Sequence, residues 1–260
     1  MVALKSLRSF TGKAQSIASL LYTWRPFVQM LYAAIYSEAP AGRPHLRWVE
    51  QISIPVQWII AFLSKTEGSL HREFTLASYL RLGDKVFITT DASPYGIGAV
   101  LQVNNVIVSY IADDITADDR RILQLQDDPS CEDQQLLEAL TALVALREWC
   151  EHWKKCRVVL AVQGDNMATL TLITKMQPHS ARLALVAREM ALDICSAIYS
   201  PDIVGHVPGV SNVTADALSR LKAPTEPKPL PAHLRDVARH YCQPRPQSWW
   251  RSLPPSAKAR

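Results

Sequence analysis

The sequence has few cysteines and no long apolar run. Its five cysteines are odd in number, and no two of them form a Cys-X-X-Cys pair. This argues against a disulfide framework or a structural zinc site and favours a reducing compartment. The apolar stretch near 52–63 is too short to span a bilayer, and the one near 17–21 is too short for a signal peptide. We therefore expect a soluble intracellular protein with no membrane partner, although nucleus and cytoplasm are not distinguished.

Charge is distributed unevenly although the net charge is only +4. Residues 1–85 carry ten Lys/Arg against five Asp/Glu, residues 86–222 carry eleven against seventeen, and residues 223–260 carry seven against two. An acidic centre between basic flanks suits a cation site whose surroundings meet a polyanion. Ordinary solvated surface charge explains the same counts equally well.

The order of predicted elements indicates an α/β fold. Residues 7–37 show helical periodicity interrupted at Pro26, and a second helix is predicted over 46–63. The later pattern is β-β-β-α-β-α-α-β-α, which predicts a hairpin meander followed by parallel units. The strands are predicted at 86–90, 96–103, 106–110, 157–162 and 203–207, and the helices at 132–153, from 166, 180–198 and 211–221.

The last part of the chain is rich in proline. Eight of the seventeen prolines lie beyond Ala223, a composition typical of extended or disordered chain. We therefore predict three parts: a small helical region (1–83), an α/β domain (84–222) and a largely disordered basic tail (223–260) in which a short helix near 232–241 is expected.

Four carboxylates occupy positions where chemistry is plausible. Asp91 ends an apolar strand and is followed by Gly96 and Gly98, which allow another backbone or a ligand to approach closely. Glu138 shares an apolar helical stripe with Ala142, Ala145 and Trp149, so it faces the sheet and must be paired or bound to a metal. A half-buried glutamate that reaches solvent is the alternative.

The other two carboxylates each have an ordinary structural explanation. Asp165 follows a strand, where open α/β sheets bind ligands, but it also precedes a helix that it could cap. Asp216 lies in the first turn of a helix that Ser211 or Asn212 could cap, where a negative charge favours the helix dipole. Asp113-Asp114 superficially resembles a polymerase signature, but the spacing is off by one residue and we reject it.

The segment from Val86 to Leu221 resembles the ribonuclease H domain of Ty3/gypsy- or DIRS-type retrotransposon reverse transcriptases. Five motifs occur in the family's order: TTDASPYGIGAVL, IVSYIADDIT, EALTALVALREW, GDNMATL and HVPGVSNVTADALSRL. The segment from Leu7 to Ile35 is similar to the thumb-like region that follows the polymerase palm. The resemblance thus implies a mixed five-stranded sheet flanked by helices, with the polymerase active site absent from this chain.

The resemblance also implies residue roles. It makes Asp91, Glu138, Asp165 and Asp216 the catalytic, metal-binding carboxylates, which hold two Mg²⁺ ions for which Mn²⁺ can substitute. His206, Ser93 and Asn212 are auxiliary candidates, although a turn residue before Pro208 and Gly209 is the better explanation of His206. Candidate phosphate contacts are Lys154, Lys155, Arg157, Arg182 and Arg188.

The leading hypothesis is therefore metal-dependent hydrolysis of the RNA strand of RNA–DNA hybrids by the C-terminal part of a reverse transcriptase, with the polymerase part as a partner. A catalytically inactive nucleic-acid-binding remnant is the rival, supported by a long acidic insert at 113–133 and few basic residues. A DNA-directed nuclease of the same fold is a third reading, against which the closing ADALSR motif argues.

Overall fold

Three helices open the chain. A computed structural model describes residues 1–68, 76, 80, 82–126, 130–154, 158–196 and 203–253. Helices α1 (Leu4–Leu20), α2 (Arg25–Tyr36) and α3 (Glu50–Leu63) pack together, and the short strands β1 (Val2–Ala3) and β2 (Leu46–Arg47) pair antiparallel. The predicted break at Pro26 lies earlier, at a 3₁₀ turn over Tyr22–Trp24. Pro26 occupies the first turn of α2, where its missing N–H is tolerated.

A mixed sheet forms the centre of the protein. Its order is β7-β6-β3-β4-β5-β8, in which β3, β4 and β5 are antiparallel neighbours and β6, β7 and β8 each run parallel to a neighbour. This confirms the predicted ribonuclease H-like sheet flanked by helices, with six strands among the described residues rather than five. The strands are β3 (Asp84–Ala92), β4 (Gly96–Val103), β5 (Val106–Asp114), β6 (Val158–Gly164), β7 (Ile203–His206) and β8 (Ala238–His240).

The hairpin between β4 and β5 turns at Asn104 and Asn105, as the sequence predicts. Both residues have positive φ, 51° and 67°, the conformation that a tight hairpin turn requires and that asparagine tolerates. The Asn104 side chain also accepts a hydrogen bond from the Lys85 N–H at 2.9 Å and donates to Asp84 at 2.8 Å. The turn therefore fixes the register of the strand that carries Asp91.

Within the described residues, six α-helices follow the meander. They are α4 (Ala117–Leu123), α5 (Cys131–Glu148), α6 (Glu151–Lys154), α7 (Met167–Lys175), α8 (Ala181–Cys195) and α9 (Val213–Ser219). The single helix predicted over 132–153 is interrupted after Glu148. Capping boxes begin both α4 and α5, built on Thr116 with Asp119 and on Ser130 with Asp133. Two aspartates of the acidic insert therefore stabilise helix starts.

Two layers cover the sheet, as side-chain alternation along β4 shows. Ile97, Ala99 and Leu101 belong to the core beneath α5, whereas Gly98 and Val100 face α9. The main core continues from the N-terminal helices through the α5 face to Trp250. Among the described residues, no helix combines the length and the apolar character needed to cross a membrane.

Residues 223–253 of the proline-rich tail pack against the sheet, whereas composition predicts a largely disordered tail. The side of the sheet that faces α9 has a second hydrophobic core, to which Val100 belongs. Leu230, Leu234 and Val237 of the tail complete this second core, and β8 extends the sheet. The predicted helix at 232–241 is replaced by a 3₁₀ turn and β8. The prolines of this segment separate single apolar residues that pack on the sheet face. Because these residues follow no periodic pattern, the sequence did not predict their packing.

Candidate active site

Asp91 lies inside β3 rather than after it, opposite Gly98 of β4. Its side chain is buried, and Ser219 Oγ donates a hydrogen bond to Asp91 Oδ2 at 2.7 Å. The pKa of Asp91 is raised to about 6, chiefly by burial, with a smaller contribution from the negative charges of Asp165 and Asp216, whereas the Ser219 hydrogen bond lowers it. Asp91 is thus a desolvated carboxylate near like charges.

Gly96 and Gly98 make room for α9. A Cβ at Gly98 would lie 2.2 Å from the Ala215 carbonyl oxygen and 2.6 Å from the Ser219 nitrogen, and one at Gly96 would lie 2.8 Å from the Ser219 oxygen. The expected close approach is therefore that of a neighbouring helix backbone, which places Ser219 beside Asp91. Approach of a substrate strand does not explain these glycines.

Glu138 projects from α5 toward the end of β3, as its apolar stripe predicts. The Ala92 N–H donates to Glu138 Oε1 at 3.3 Å, and Gln134 Nε2 donates to the same oxygen at 3.1 Å. Gln134 Nε2 also donates to the Ala92 carbonyl at 2.7 Å. The pKa of Glu138 is raised to about 8, chiefly by burial and then by the charges of Asp91 and Asp165, although these hydrogen bonds lower it.

Asp165 directly follows β6 and does not cap the next helix. Asn166 is the N-cap of α7, and its Oδ1 accepts from the N–H groups of Ala168 and Thr169 at 2.9 and 3.2 Å. The capping alternative for Asp165 is therefore excluded. A Cβ at Gly209 would lie 3.2 Å from Asp165 Oδ2, so the loop before α9 passes close to this half-buried carboxylate.

Three of the four predicted carboxylates meet at one point. One oxygen from each of Asp91, Glu138 and Asp165 lies within 4.8 Å of the other two. The three residues come from β3, α5 and the end of β6, so the sheet order brings them together. Converging carboxylate oxygens suit a hard divalent cation, which would also offset their mutual repulsion.

Asp216 lies outside this group and carries two ion pairs. Arg220 Nε contacts its Oδ1 at 2.8 Å, and Lys228 Nζ contacts its Oδ2. Burial alone would raise the pKa of Asp216, but the hydrogen bonds from Lys228 and Arg220 outweigh it and hold the pKa below its ordinary value. Asp216 is near enough for its charge to raise the pKa of Asp91.

The auxiliary candidates have distinct positions. Ser93 Oγ donates to the Ser219 carbonyl at 2.6 Å and accepts from the Gly96 N–H at 3.1 Å, so it joins the β3–β4 turn to α9. Asn212 precedes α9 without a side-chain cap and instead donates to the Thr90 carbonyl at 3.0 Å. His206 is exposed at the end of β7, paired in register with Gly164.

Arg182 and Arg188 are the candidate phosphate contacts whose side chains the structure describes, and neither offers an exposed, unpaired cation. Arg182 pairs with Glu132 and Asp133, both at the start of α5. Arg188 is only 8% exposed, and burial lowers its pKa to about 10, so it does not reach a surface phosphate. The side chain of Lys154 and all of Lys155 and Arg157 lie outside the described residues.

Sequence reasoning missed three groups that shape the site: Gln134, Ser219 and Lys228. Gln134 lies four residues before Glu138, so helical spacing offered a signal for it. Ser219 lies within the ADALSR motif but was read only as part of a helix. Nothing in the proline-rich segment signalled Lys228.

Comparison with known proteins gives structural likeness only. No family model matches the chain, and no curated protein matches it. RNase H1 from the halophilic archaeon Halobacterium salinarum is 19% identical with a TM-score of 0.39, and LC11-RNase H1 isolated from compost is 17% identical with a TM-score of 0.37. In each case the match covers 52% of this chain and 93% of the other.

A viral structure matches over a longer part of this chain. The foamy viral protease-reverse transcriptase dRH, in complex with double-stranded DNA, is 12% identical with a TM-score of 0.31. The match covers 79% of this chain and 34% of the viral one. The fold assignment rests on the strand order described above, because similarity at this level does not establish family membership.

Proposed function

We propose that the chain is a divalent-metal-dependent nuclease that hydrolyses the RNA strand of RNA–DNA hybrids. The observation that carries this proposal is the convergence of Asp91, Glu138 and Asp165 oxygens within 4.8 Å. Carboxylate oxygens are the ligands that Mg²⁺ and Mn²⁺ prefer, so the residues fit the cation that the motif resemblance implies. When bound, two such ions would supply Lewis acidity and lower the pKa of a bound water.

The residues of the chain hold the site in a defined geometry. Ser219 orients Asp91, while the Ala92 N–H and Gln134 orient Glu138. Both carboxylates are buried, so their rotamers are restricted and their charges weakly screened. Asp165 is only half-buried and is the member of the group with access to solvent. This arrangement orients two fixed carboxylates toward one accessible carboxylate, where a substrate phosphate can approach.

The choice of substrate follows from the ordered motifs. Four of the five segments that resemble reverse-transcriptase ribonuclease H domains each place a residue in or beside this site, namely Asp91, Glu138, Asp165 and the Ser219 side chain. We place the nuclease in residues 84–222 and assign residues 1–83 to a thumb-like region of the same enzyme. The polymerase part of a reverse transcriptase of the Ty3/gypsy or DIRS type is the proposed partner.

Asp216 is included as a fourth ligand on the resemblance and on its proximity to Asp91. His206, exposed beside the strand that leads to Asp165, is the proposed auxiliary group for proton transfer or product release. Ser93 and Asn212 are proposed to position the ends of β3 and α9 through their backbone contacts.

A catalytically inactive nucleic-acid-binding remnant is the second candidate. Two observations favour it: Asp216 is neutralised by Lys228 and Arg220, and Arg182 is paired with acidic side chains. A remnant would keep the fold and bind nucleic acid, and binding would not lead to cleavage.

A strand-specific cleavage assay separates the two candidates. A hybrid labelled separately on its RNA and DNA strands is incubated with the purified chain and Mg²⁺, Mn²⁺ or EDTA, beside Asp91→Asn. The nuclease predicts cleavage of RNA only, loss in EDTA, and at least a hundredfold loss in the variant. Equal cleavage by the variant would point to a contaminant and defeat the proposal. Hybrid binding without cleavage would support the remnant, and cleavage of the DNA strand would favour a DNA-directed nuclease.

A further inference from the structure

Lys228 belongs to the proline-rich tail, yet its ammonium group contacts a candidate cation ligand. Its Nζ pairs with Asp216 Oδ2, and its backbone N–H donates to the Arg220 carbonyl at 3.2 Å. The main chain therefore places Lys228 against the end of α9. The other partner of Asp216, Arg220, lies four residues along the same helix, so Lys228 is the partner that comes from a separate segment.

The segment that carries Lys228 is anchored after it. Leu230 and Val237 are half-buried against the second core, Leu234 is fully buried in it, and β8 pairs with β5. We call residues 222–240 the strap. Because the strap is held by apolar contacts and by sheet pairing, the position of Lys228 does not depend on the ion pair alone. The ammonium group is thus maintained near Asp216 at little entropic cost.

The ion pair itself is open to solvent. The Lys228 and Asp216 side chains are 44% and 24% exposed, and ion pairs of this exposure contribute little net stability. The pair can therefore open while the strap stays in place, and a divalent cation at Asp216 would have to displace the ammonium or bear its repulsion. In either case a fixed positive charge lies beside the carboxylate group.

We propose that Lys228 is a residue of the candidate site that competes with a divalent cation for Asp216 and so weakens cation binding. The strap then sets the cation concentration at which the site is filled. This inference depends on the proposed function in one respect, because it takes Asp216 as a cation ligand.

Isothermal titration of the full chain with Mn²⁺, without nucleic acid, tests the proposal. The variants are Lys228→Gln and a matched control, Lys222→Gln, which removes the same charge from the strap. Lys222 pairs with Asp114, and both side chains are more than half exposed. We expect Lys228→Gln to bind Mn²⁺ roughly fivefold more tightly than the wild type and the control to bind within twofold of it. In an Asp216→Asn background the gain should be largely lost.

The outcomes separate this inference from the function on which it depends. Wild-type binding without a gain in Lys228→Gln, or an equal gain in the control, would overturn the role of Lys228 and leave the nuclease proposal standing. Absence of Mn²⁺ binding in all variants would overturn both. Thermal melting in EDTA verifies that each variant is folded, and the exposed position of both lysines predicts melting temperatures close to that of the wild type.

Discussion

Ser219 donates a 2.7 Å hydrogen bond to Asp91, a residue 128 positions earlier in the chain. The contact exists because α9 lies directly on β4, where Gly98 has no side chain to keep it away. Packing of a small helix thereby determines the orientation and the pKa of a carboxylate in the candidate site. The first two predictions test the hydrogen bond from Ser219 and the space that Gly98 leaves for α9.

Ser219→Ala should impair the site more than the fold. Loss of the hydroxyl leaves a buried acceptor without its donor, which costs about 1–2 kcal/mol in the free energy of unfolding. Because this hydrogen bond lowers the pKa of Asp91, its loss should move the acidic limb of the pH–rate profile to higher pH. Hybrid cleavage measured from pH 5 to 9 tests this. Ser109→Ala, which removes an exposed hydrogen bond to the Ala238 carbonyl, should leave the profile unchanged.

Gly98→Ala should displace α9. The added methyl would lie 2.2 Å from the Ala215 carbonyl oxygen, and backbone atoms cannot yield at that distance without a shift of the helix. We expect a loss of about 2–4 kcal/mol in urea unfolding together with weaker cation binding. Gly12→Ala is the matched control, since an added Cβ there meets nothing within 4 Å and lies in a helix, where alanine is favoured by about 0.5–1 kcal/mol. Equal stability of the two variants would contradict the packing described.

Glu138 should make the cation-free protein less stable at alkaline pH. Its pKa of about 8 in the folded state exceeds the ordinary value of 4.5, so the folded protein retains a proton that the unfolded chain has already lost. Stability therefore falls as the pH rises between about 4.5 and 8. Glu138→Gln removes this loss and should be more stable than the wild type at pH 8.5 by on the order of 3 kcal/mol. Urea unfolding in EDTA at pH 5 and pH 8.5 measures it.

The stabilisation of the protein by Mg²⁺ provides a second test of Glu138. Cation binding requires ionised ligands, so Mg²⁺ should stabilise the wild type more at pH 8.5 than at pH 6. A free Mg²⁺ concentration of 100 times Kd corresponds to about 2.7 kcal/mol. Glu138→Gln should show a smaller Mg²⁺ effect at both pH values, and an undiminished effect would exclude Glu138 from the cation site.

Arg245 should anchor the tail to the acidic insert. Its guanidinium group contacts Asp119 Oδ2 at 2.8 Å and Asp113 Oδ2 at 3.3 Å, and the Arg245 and Asp119 side chains are both buried. Arg245→Ala leaves Asp119 with an uncompensated buried charge, which should cost about 3–5 kcal/mol. Arg235→Ala, at an exposed position of the same tail, should change stability by less than about 0.5 kcal/mol. A disordered tail would instead make both variants neutral.

Local signals in the sequence favoured Asp91 and Glu138 as site residues, whereas Asp165 was equally explained as a helix cap and was assigned through the motif resemblance. Asp91 and Asp165 follow apolar strand residues, and Glu138 interrupts an apolar helical stripe. Once the strands are ordered as a meander followed by parallel units, the end of β3 lies beside the end of β6 and beneath α5. Strand order and helix periodicity are properties of the pattern along the chain, so these positions followed from the sequence.

The groups that surround these carboxylates could not be predicted from the sequence. Gly98 predicts a close approach, but only the folded chain shows that α9 makes it. Asp216 has the same motif context as the other carboxylates, yet its side chain pairs with Lys228, from a segment without periodicity. The tail was assigned to disorder from its proline content, although its scattered leucines fill the second face of the sheet.

Chemical type and order along the chain thus predicted a hairpin meander followed by parallel units, and the motif resemblance added the ribonuclease H-like sheet and the carboxylate set. Which charges neutralise one another, which backbone fills a gap and whether a proline-rich segment packs depend on distances between residues far apart in sequence. Those distances are set only when the sheet and its two covering layers pack together. Contacts of this kind leave no periodic pattern in the sequence, so they could not be predicted from it.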